Sequence, residues 1–158
     1  AEHHAGILLR HAIFRMKWAK PSLVVPWCTY TDPELARVGM SETEARKNGV
    51  AYKVYTFPFE DIDRARAQGE TAGLAKIVTD RNGKLLGAAI VGPHAGELIA
   101  EYVLALAKGM NAKDISGVIH AYPTLAQINR RVADQRMKEG LTPSSKAWIQ
   151  RIFGLRGA

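Results

Sequence analysis

The chain has 158 residues, 47% of them hydrophobic and 23% charged, which is ordinary for one globular domain with a sizeable core. Its single cysteine, Cys28, excludes an internal disulfide, and no apolar run approaches the roughly 20 residues of a membrane-spanning helix. The net charge of +7 raises nucleic acid as a partner, but the basic residues are dispersed without interleaved aromatics. We therefore expect no nucleic-acid partner, no membrane partner in this segment and a cytoplasmic protein.

The first elements alternate between helix and strand. Residues 3–18 carry apolar side chains near helical spacing and predict a helix that Pro21 ends. Residues 23–31 are rich in β-branched and aromatic types and predict a strand, in which Pro26 marks an edge or a bulge. Residues 31–34 then predict a turn.

A short helix and a third segment follow. Ser41 and Glu44 have the spacing of a capping box and predict the start of a helix that Gly49 ends. Residues 51–59 alternate enough between apolar and polar types to predict a strand. Residues 61–68 are charged, and we expect them to be exposed.

A β-hairpin is the strongest local prediction. Residues 73–79 and 84–91 are two strand-like runs joined through Asn82-Gly83. Such a pair favours a type I′ turn, because both of its central positions need a positive φ.

The second half is predicted to be helical. Residues 98–108 are apolar nearly all round and should be buried on more than one side, with Gly109 as the stop. Further helices are predicted over residues 111–117 (opened by Asn111 and Asp114), 124–138 and 144–153. The order of elements predicts an α+β fold, with an antiparallel β-sheet and helices grouped on one face.

The loop before the helix 124–138 carries the residues with chemical potential. His120 and Tyr122 stand one residue apart, just before a proline. Pro123 disfavours helix at Tyr122, and Thr124 with Gln127 three residues on predicts a capping box. We expect a rigid loop that projects an imidazole and a phenol from a helix start.

This loop resembles the His-x-His-Pro-Thr-x-x-Glu signature near the C-terminus of the FAD-dependent pyridine nucleotide–disulfide oxidoreductases. His120 matches the first His, and Pro123 and Thr124 match the Pro-Thr. In that family the second His is the acid/base partner of a redox disulfide, and the Glu orients it. Tyr122 replaces that His here, and Gln127 replaces the Glu.

The resemblance covers about the whole chain from residue 22 onward. It implies that residues 22–158 are a C-terminal dimerisation domain and that residues 1–20 are a remnant helix of an upstream FAD-binding domain. It also implies a homodimer attached to upstream FAD- and NAD(P)-binding domains of the same chain. FAD and NAD(P)H would serve the full-length enzyme. We expect no cofactor and no activity in the isolated chain, which shows no glycine-rich dinucleotide fingerprint and no P-loop.

In the family this loop reaches across the dimer axis to the partner's flavin and disulfide. The resemblance thus implies catalytic roles for Tyr122, His120 and Gln127, with His120, Pro123 and Thr124 near the partner's flavin. A phenol, with a pKa of about 10, is a poor base at neutral pH. Tyr122 would instead donate a hydrogen bond to a thiolate or bind a metal ion held by thiolates. His120 is the alternative base, and a purely structural role suits both side chains.

Mercuric reductases carry a Tyr at the position that matches Tyr122, which favours that branch and makes Tyr122 a mercury ligand. Those enzymes usually end in two adjacent cysteines, and residues 154–158 contain none. Either the chain is truncated, or it belongs to a related group with another disulfide or electron acceptor. The alternatives are a dihydrolipoamide dehydrogenase-like disulfide reductase domain and a self-standing α+β binding module.

Overall fold

The computed structural model describes residues 2–16, 18, 24–140 and 142–154. In chain order their elements are α1 (Glu2–Ala12), β1 (Trp27–Thr29), β2 (Glu34–Gly39), α2 (Glu42–Lys47), β3 (Lys53–Pro58), α3 (Asp63–Gln68), β4 (Leu74–Thr79), β5 (Leu85–Gly92), α4 (Ala95–Leu98), α5 (Ala100–Ala107), α6 (Ala112–Ser116), α7 (Gln127–Glu139) and α8 (Pro143–Phe153). A 3-10 turn, Phe59–Asp61, precedes α3. None of the described helices is both long and apolar enough to cross a membrane.

The five strands form one antiparallel sheet in the order β1-β2-β5-β4-β3. Alternate residues of the three inner strands point to one face, as the two-residue period of a strand requires. These buried side chains are Ala36, Val38, Ala75, Ile77, Ala88 and Ile90. Helices α4, α5 and α7 pack against the sheet and share its core. The predicted α+β class, with an antiparallel sheet and helices on one face, is confirmed.

Two predicted helix starts are confirmed in atomic detail. Glu44 N–H donates to Ser41 Oγ at 3.2 Å, and Ser41 N–H donates to Glu44 Oε2 at 2.7 Å. Asn111 N–H likewise donates to Asp114 Oδ2 at 2.7 Å. Each helix start is therefore fixed by its own sequence, which is why local reasoning found both.

Strand β2 was not predicted. Its sequence, Glu34–Gly39, follows directly on the turn at Pro33 and contains an alanine and an arginine among its apolar residues. Pairing with β1 on one side and β5 on the other supplies the stability that its sequence does not signal. The strand predicted over residues 23–31 is only three residues long, Trp27–Thr29, and residue 23 lies outside the described residues.

The first helix is shorter than predicted. It ends at Ala12 instead of residue 18, and Arg15 has a positive φ of 52°. No residue of α1 is buried, so the helix gains little of the packing that stabilises most helices in proteins. Pro21, the predicted stop, lies outside the described residues. Conversely, residues 61–68 contain a helix, and Ala65 is fully buried.

The hairpin between β4 and β5 is present, but its turn is not type I′. Of the two turn residues only Gly83 has a positive φ, of 90°. The Asp80 carboxylate explains the wider loop, because its Oδ1 accepts from Asn82 N–H at 2.8 Å and from Lys84 N–H at 2.9 Å. A side chain before the Asn-Gly pair thus decides the turn.

The apolar stretch 98–108 forms α4 and α5, with Gly109 in a left-handed conformation after them. Tyr102 and Ala105 are buried, but Leu104 is 59% exposed. The predicted burial on more than one side is therefore not met inside the described chain. The helix predicted over 144–153 is confirmed as α8, capped by the hydroxyl of Thr142, which accepts from Ser145 N–H.

Candidate functional site

The loop between α6 and α7 does not end in the predicted capping box. Helix α7 begins at Gln127 with Ala126 as its N-cap, and no side chain caps it. The Thr124 hydroxyl instead donates to Ala121 O at 2.7 Å, while Gln127 N–H donates to Thr124 O at 3.4 Å. The prediction was wrong because the hydroxyl closes the loop on its own preceding turn. The peptide bond before Pro123 is cis.

His120 fastens this loop to the body of the domain. Its side chain is only 7% exposed. Its Nε2 lies 3.0 and 3.2 Å from the two carboxylate oxygens of Glu101 on α5, and its Nδ1 lies 3.1 Å from Val118 O. Both ring nitrogens of His120 therefore have a partner within the domain.

A buried amide completes the support, and we call His120, Glu101 and Asn129 the loop anchor. Asn129, on α7, is 1% exposed and donates through Nδ2 to Glu101 Oε2 at 2.8 Å and to Leu98 O at 3.0 Å. The Tyr102 hydroxyl donates to Asn129 O at 3.3 Å, and burial, then the nearby Glu101 charge, raise the pKa of that phenol well above its usual value. The anchor ties the loop to α5 and, through Glu101, to α7.

Tyr122 faces the other way and is 69% exposed. Its hydroxyl donates to Asp63 Oδ2, in the first turn of α3, at 3.1 Å. This hydrogen bond, followed by the carboxylate charge, raises the pKa of the Tyr122 phenol. Ile119, on the same loop, is 91% exposed. With Val118, which is 51% exposed, the loop displays apolar side chains beside the phenol.

The other predicted site residues lie around this loop without joining one cluster. Pro123 and Thr124 line a shallow cleft of about 500 Å³ with Arg64 and His94. Gln127 lines a smaller cleft of about 160 Å³, together with Arg130, Arg131 and Asp134. Among the described residues no group of three His, Cys, Asp or Glu side chains is arranged to hold a metal ion.

Three residues of the site were missed from the sequence: Glu101, Asn129 and Asp63. Glu101 is an acid within an otherwise apolar stretch, and Asn129 is an amide beside the buried Ile128. Polar residues in such positions need buried partners, and that signal was available. Asp63 lies 59 residues from Tyr122 in an ordinary charged segment, where no sequence signal points to it.

Comparison with known proteins identifies the domain. The family model described as "Pyridine nucleotide-disulphide oxidoreductase, dimerisation domain" matches residues 25–132. The chain belongs to this family. It is therefore a domain of an oxidoreductase family, as the loop motif indicates.

The relatives in sequence are dihydrolipoyl dehydrogenases. The chain is 42% identical over 107 residues to the mitochondrial enzyme of Schizosaccharomyces pombe, covering 67% of this chain and 21% of that protein. It is 44% identical over 110 residues to dihydrolipoamide dehydrogenase of Chaetomium thermophilum, covering 69% and 22%. The chain thus spans about a fifth of the length of these relatives. They favour the dihydrolipoamide dehydrogenase-like alternative over the mercuric-reductase-like prediction.

Solved structures agree on the fold. The HOCl-induced flavoprotein disulfide reductase RclA of Escherichia coli superposes with a TM-score of 0.74 at 24% identity, over 80% of this chain and 30% of that one. LpdA of Mycobacterium tuberculosis gives 0.73 at 25% identity, over 80% and 28%.

Proposed function

We propose that this chain is the dimerisation domain of a flavin-dependent pyridine nucleotide–disulfide oxidoreductase. Residues 22–158 pair with a second copy, and the loop 119–124 completes the partner's active site beside its flavin and redox disulfide. FAD and NAD(P)H bind to other domains of the full-length protein, and residues 1–20 belong to the FAD-binding one. The 158-residue chain alone binds neither cofactor and is inactive.

One observation carries this proposal: the exposed phenol of Tyr122 lies on a loop that the hydrogen bonds of the loop anchor hold against the domain. Tyr122 is 69% exposed, whereas the His120 side chain two residues earlier is 7% exposed. Burying a polar side chain is costly unless it is hydrogen-bonded, and both ring nitrogens of His120 have partners in the domain. Such an arrangement suits a side chain that is held ready for a group on another subunit.

The two ring nitrogens of His120 are both within hydrogen-bonding distance of partners in the domain, so His120 positions the loop. Tyr122 is the residue that meets the reacting sulfur. Its single proton is donated to Asp63, which leaves the lone pairs of its oxygen to accept a hydrogen bond from a thiol. The acid/base chemistry assigned to a histidine in this family is absent from position 122.

We propose a disulfide of small-molecule or protein origin as the electron acceptor, because the chain is similar to dihydrolipoyl dehydrogenases. Hg(II) is the second candidate. The phenol at position 122 favours it, since a soft ion held by thiolates elsewhere in the full-length dimer would find an oxygen ligand there.

The test is Tyr122→Phe in the full-length protein, with both half-reactions followed by stopped flow. We expect flavin reduction by nicotinamide to be unchanged and flavin reoxidation by the acceptor to slow about twofold to tenfold, the kinetic equivalent of one lost neutral hydrogen bond of about 0.5–1.5 kcal/mol. Measuring flavin reoxidation with lipoamide and with Hg(II) in separate experiments identifies the acceptor, because Tyr122→Phe should slow reoxidation only by the true one.

Tyr30→Phe is the matched control, since Tyr30 is 81% exposed and lies outside the loop. Equal rates for the Tyr122 and Tyr30 variants, or a Tyr122 variant that slows flavin reduction instead, would refute the role of the loop.

A further inference from the structure

We propose that Asp63 is the positioning carboxylate of Tyr122. From α3, Asp63 orients the side chain at position 122, as the family's Glu at the position of Gln127 orients its histidine. This inference rests on the proposed function, because it concerns how the same loop is prepared for its sulfur substrate.

The bond joins two elements that are anchored independently. Helix α3 is fixed to the core by Ile62 and Ala65, which are 2% and 0% exposed. Arg66 further ties it to the turn before it, by donating to Glu60 O and to Asp61 Oδ1. The 3.1 Å bond from the Tyr122 hydroxyl to Asp63 Oδ2 therefore spans two fixed supports.

On the other side, Tyr122 stands on a loop held by the loop anchor and by the Thr124 bond to Ala121 O. A phenol on an exposed loop loses little by rotating into solvent, unless a charged partner restrains it. A hydrogen bond to an ionised acceptor is roughly twice as strong as a neutral one. Asp63 is thus a restraint on a side chain that is otherwise free to sample rotamers.

Gln127 is not suited to this role. Its amide carries no charge, and it lines a separate cleft with Arg130, Arg131 and Asp134. Replacing a Glu by Gln at this position removes the family's orienting acid. Asp63 restores a carboxylate to the residue at position 122 from the opposite side of the loop.

The bond to Asp63 determines whether the phenol donates a hydrogen bond to the substrate or accepts one from it. Tyr122 has one proton, and Asp63 holds it, so the oxygen meets the substrate as an acceptor. The same bond raises the pKa of the phenol, which keeps it neutral. A protonated thiol donates to such an oxygen, whereas a thiolate does not. The Asp63–Tyr122 pair therefore favours the thiol, and not the thiolate, of the reduced product of a disulfide acceptor.

The first experiment is a double-mutant cycle in the full-length enzyme, read as the rate of flavin reoxidation by lipoamide. We expect Asp63→Asn to lower this rate about fivefold to tenfold, within the range of coupling between contacting residues. Added to Tyr122→Phe, it should cause no further loss. Asp63→Ala, which also removes the acceptor atom, should cost at least as much as Asp63→Asn.

Asp61→Asn is the control for charge, because Asp61 belongs to the same segment and its carboxylate bonds to Arg66. An equal effect of Asp63→Asn in both backgrounds would overturn the proposal, since Asp63 would then act without Tyr122. Unchanged thermal melting of the variants excludes misfolding as the cause of the loss.

The second experiment separates this inference from the proposed function. In the 158-residue chain, tyrosine ionisation is followed by ultraviolet absorbance, and the Tyr122 signal is the difference from Tyr122→Phe. We expect Asp63→Asn to lower the titration midpoint of Tyr122 and Asp61→Asn to leave it in place. An unmoved midpoint in Asp63→Asn overturns the pairing. A normal reoxidation rate in Tyr122→Phe, together with a moved midpoint, supports the pairing and refutes the proposed function.

Discussion

His120 lies behind the exposed loop, where its ring bonds to Glu101 and to Val118 O. We predict that His120→Ala lowers the free energy of unfolding by about 2 kcal/mol, because Glu101 and the Val118 carbonyl lose their hydrogen bonds to a side chain that is 7% exposed. Urea denaturation of the 158-residue chain measures this. Tyr122→Phe, two residues away and exposed, should change stability by less than about 0.5 kcal/mol. Equal losses of unfolding free energy in His120→Ala and Tyr122→Phe would contradict a stabilising role for the loop anchor.

At the residue scale, sequence reasoning found the displayed groups and missed their supports. His120 and Tyr122 stand out because a motif surrounds them. Glu101 reaches His120 across 19 residues of sequence, and Asn129 in turn reaches Glu101 across 28. Asp63 contacts Tyr122 from 59 residues away. Pairings across such separations depend on the packing of α3, α5 and α7 around the sheet, which no local pattern encodes.

At the scale of elements, an ion-paired cluster joins β3 to the end of α7. Tyr55 donates to Glu139 Oε2, and Lys53 Nζ lies 2.6 Å from Glu139 Oε1. Burial, then the Glu139 bond, raise the pKa of Tyr55 to about 12. Tyr55 loses its hydroxyl proton near pH 10 in the unfolded chain but only at about pH 12 in the folded one. The stability that this difference contributes is therefore complete below pH 10 and is lost as pH rises to about 12.

We therefore predict that Tyr55→Phe reduces the fall in unfolding free energy between pH 10 and about 12, as measured by urea denaturation across that range. Tyr30→Phe, which alters an exposed phenol outside the cluster, should leave the slope as in the unaltered chain. A steeper or unchanged slope in Tyr55→Phe would show that other groups control alkaline unfolding.

Elements with their own capping residues were predictable, and elements held by neighbours were not. The Ser41 and Asn111 helix starts follow from side chains within three residues. Strand β2 exists because β1 and β5 flank it. The expected Thr124 cap failed for a related reason, since the Ala121 carbonyl competes for the same hydroxyl. Local sequence limits the conformations that a segment can adopt, and tertiary contacts determine which of them it adopts.

At the scale of the whole molecule, exposed apolar side chains occur on and just after α1, around β1, at the anchored loop and on α8. The loop patch consists of Leu104, Val118, Ile119 and Tyr122, which are between 51% and 91% exposed. Leu104 lies one turn after Glu101 on α5, so it stands beside the anchored loop. A second patch on α8 includes Trp148 and Phe153, at 65% and 70%. Large apolar patches mark interfaces.

We predict that the 158-residue chain is a dimer through the loop patch, and that Ile119→Glu converts it to a monomer. Ile119 is 91% exposed. In a dimer the substitution would bury one unpaired carboxylate per subunit, and the twofold axis would bring both of them into the same interface. Sedimentation at about 50 µM, above the dissociation constant of a stable interface, is the measurement. Trp148→Glu is the matched variant and should remain dimeric. A monomeric unaltered chain would exclude the dimer, and dissociation by Trp148→Glu alone would place the interface on α8.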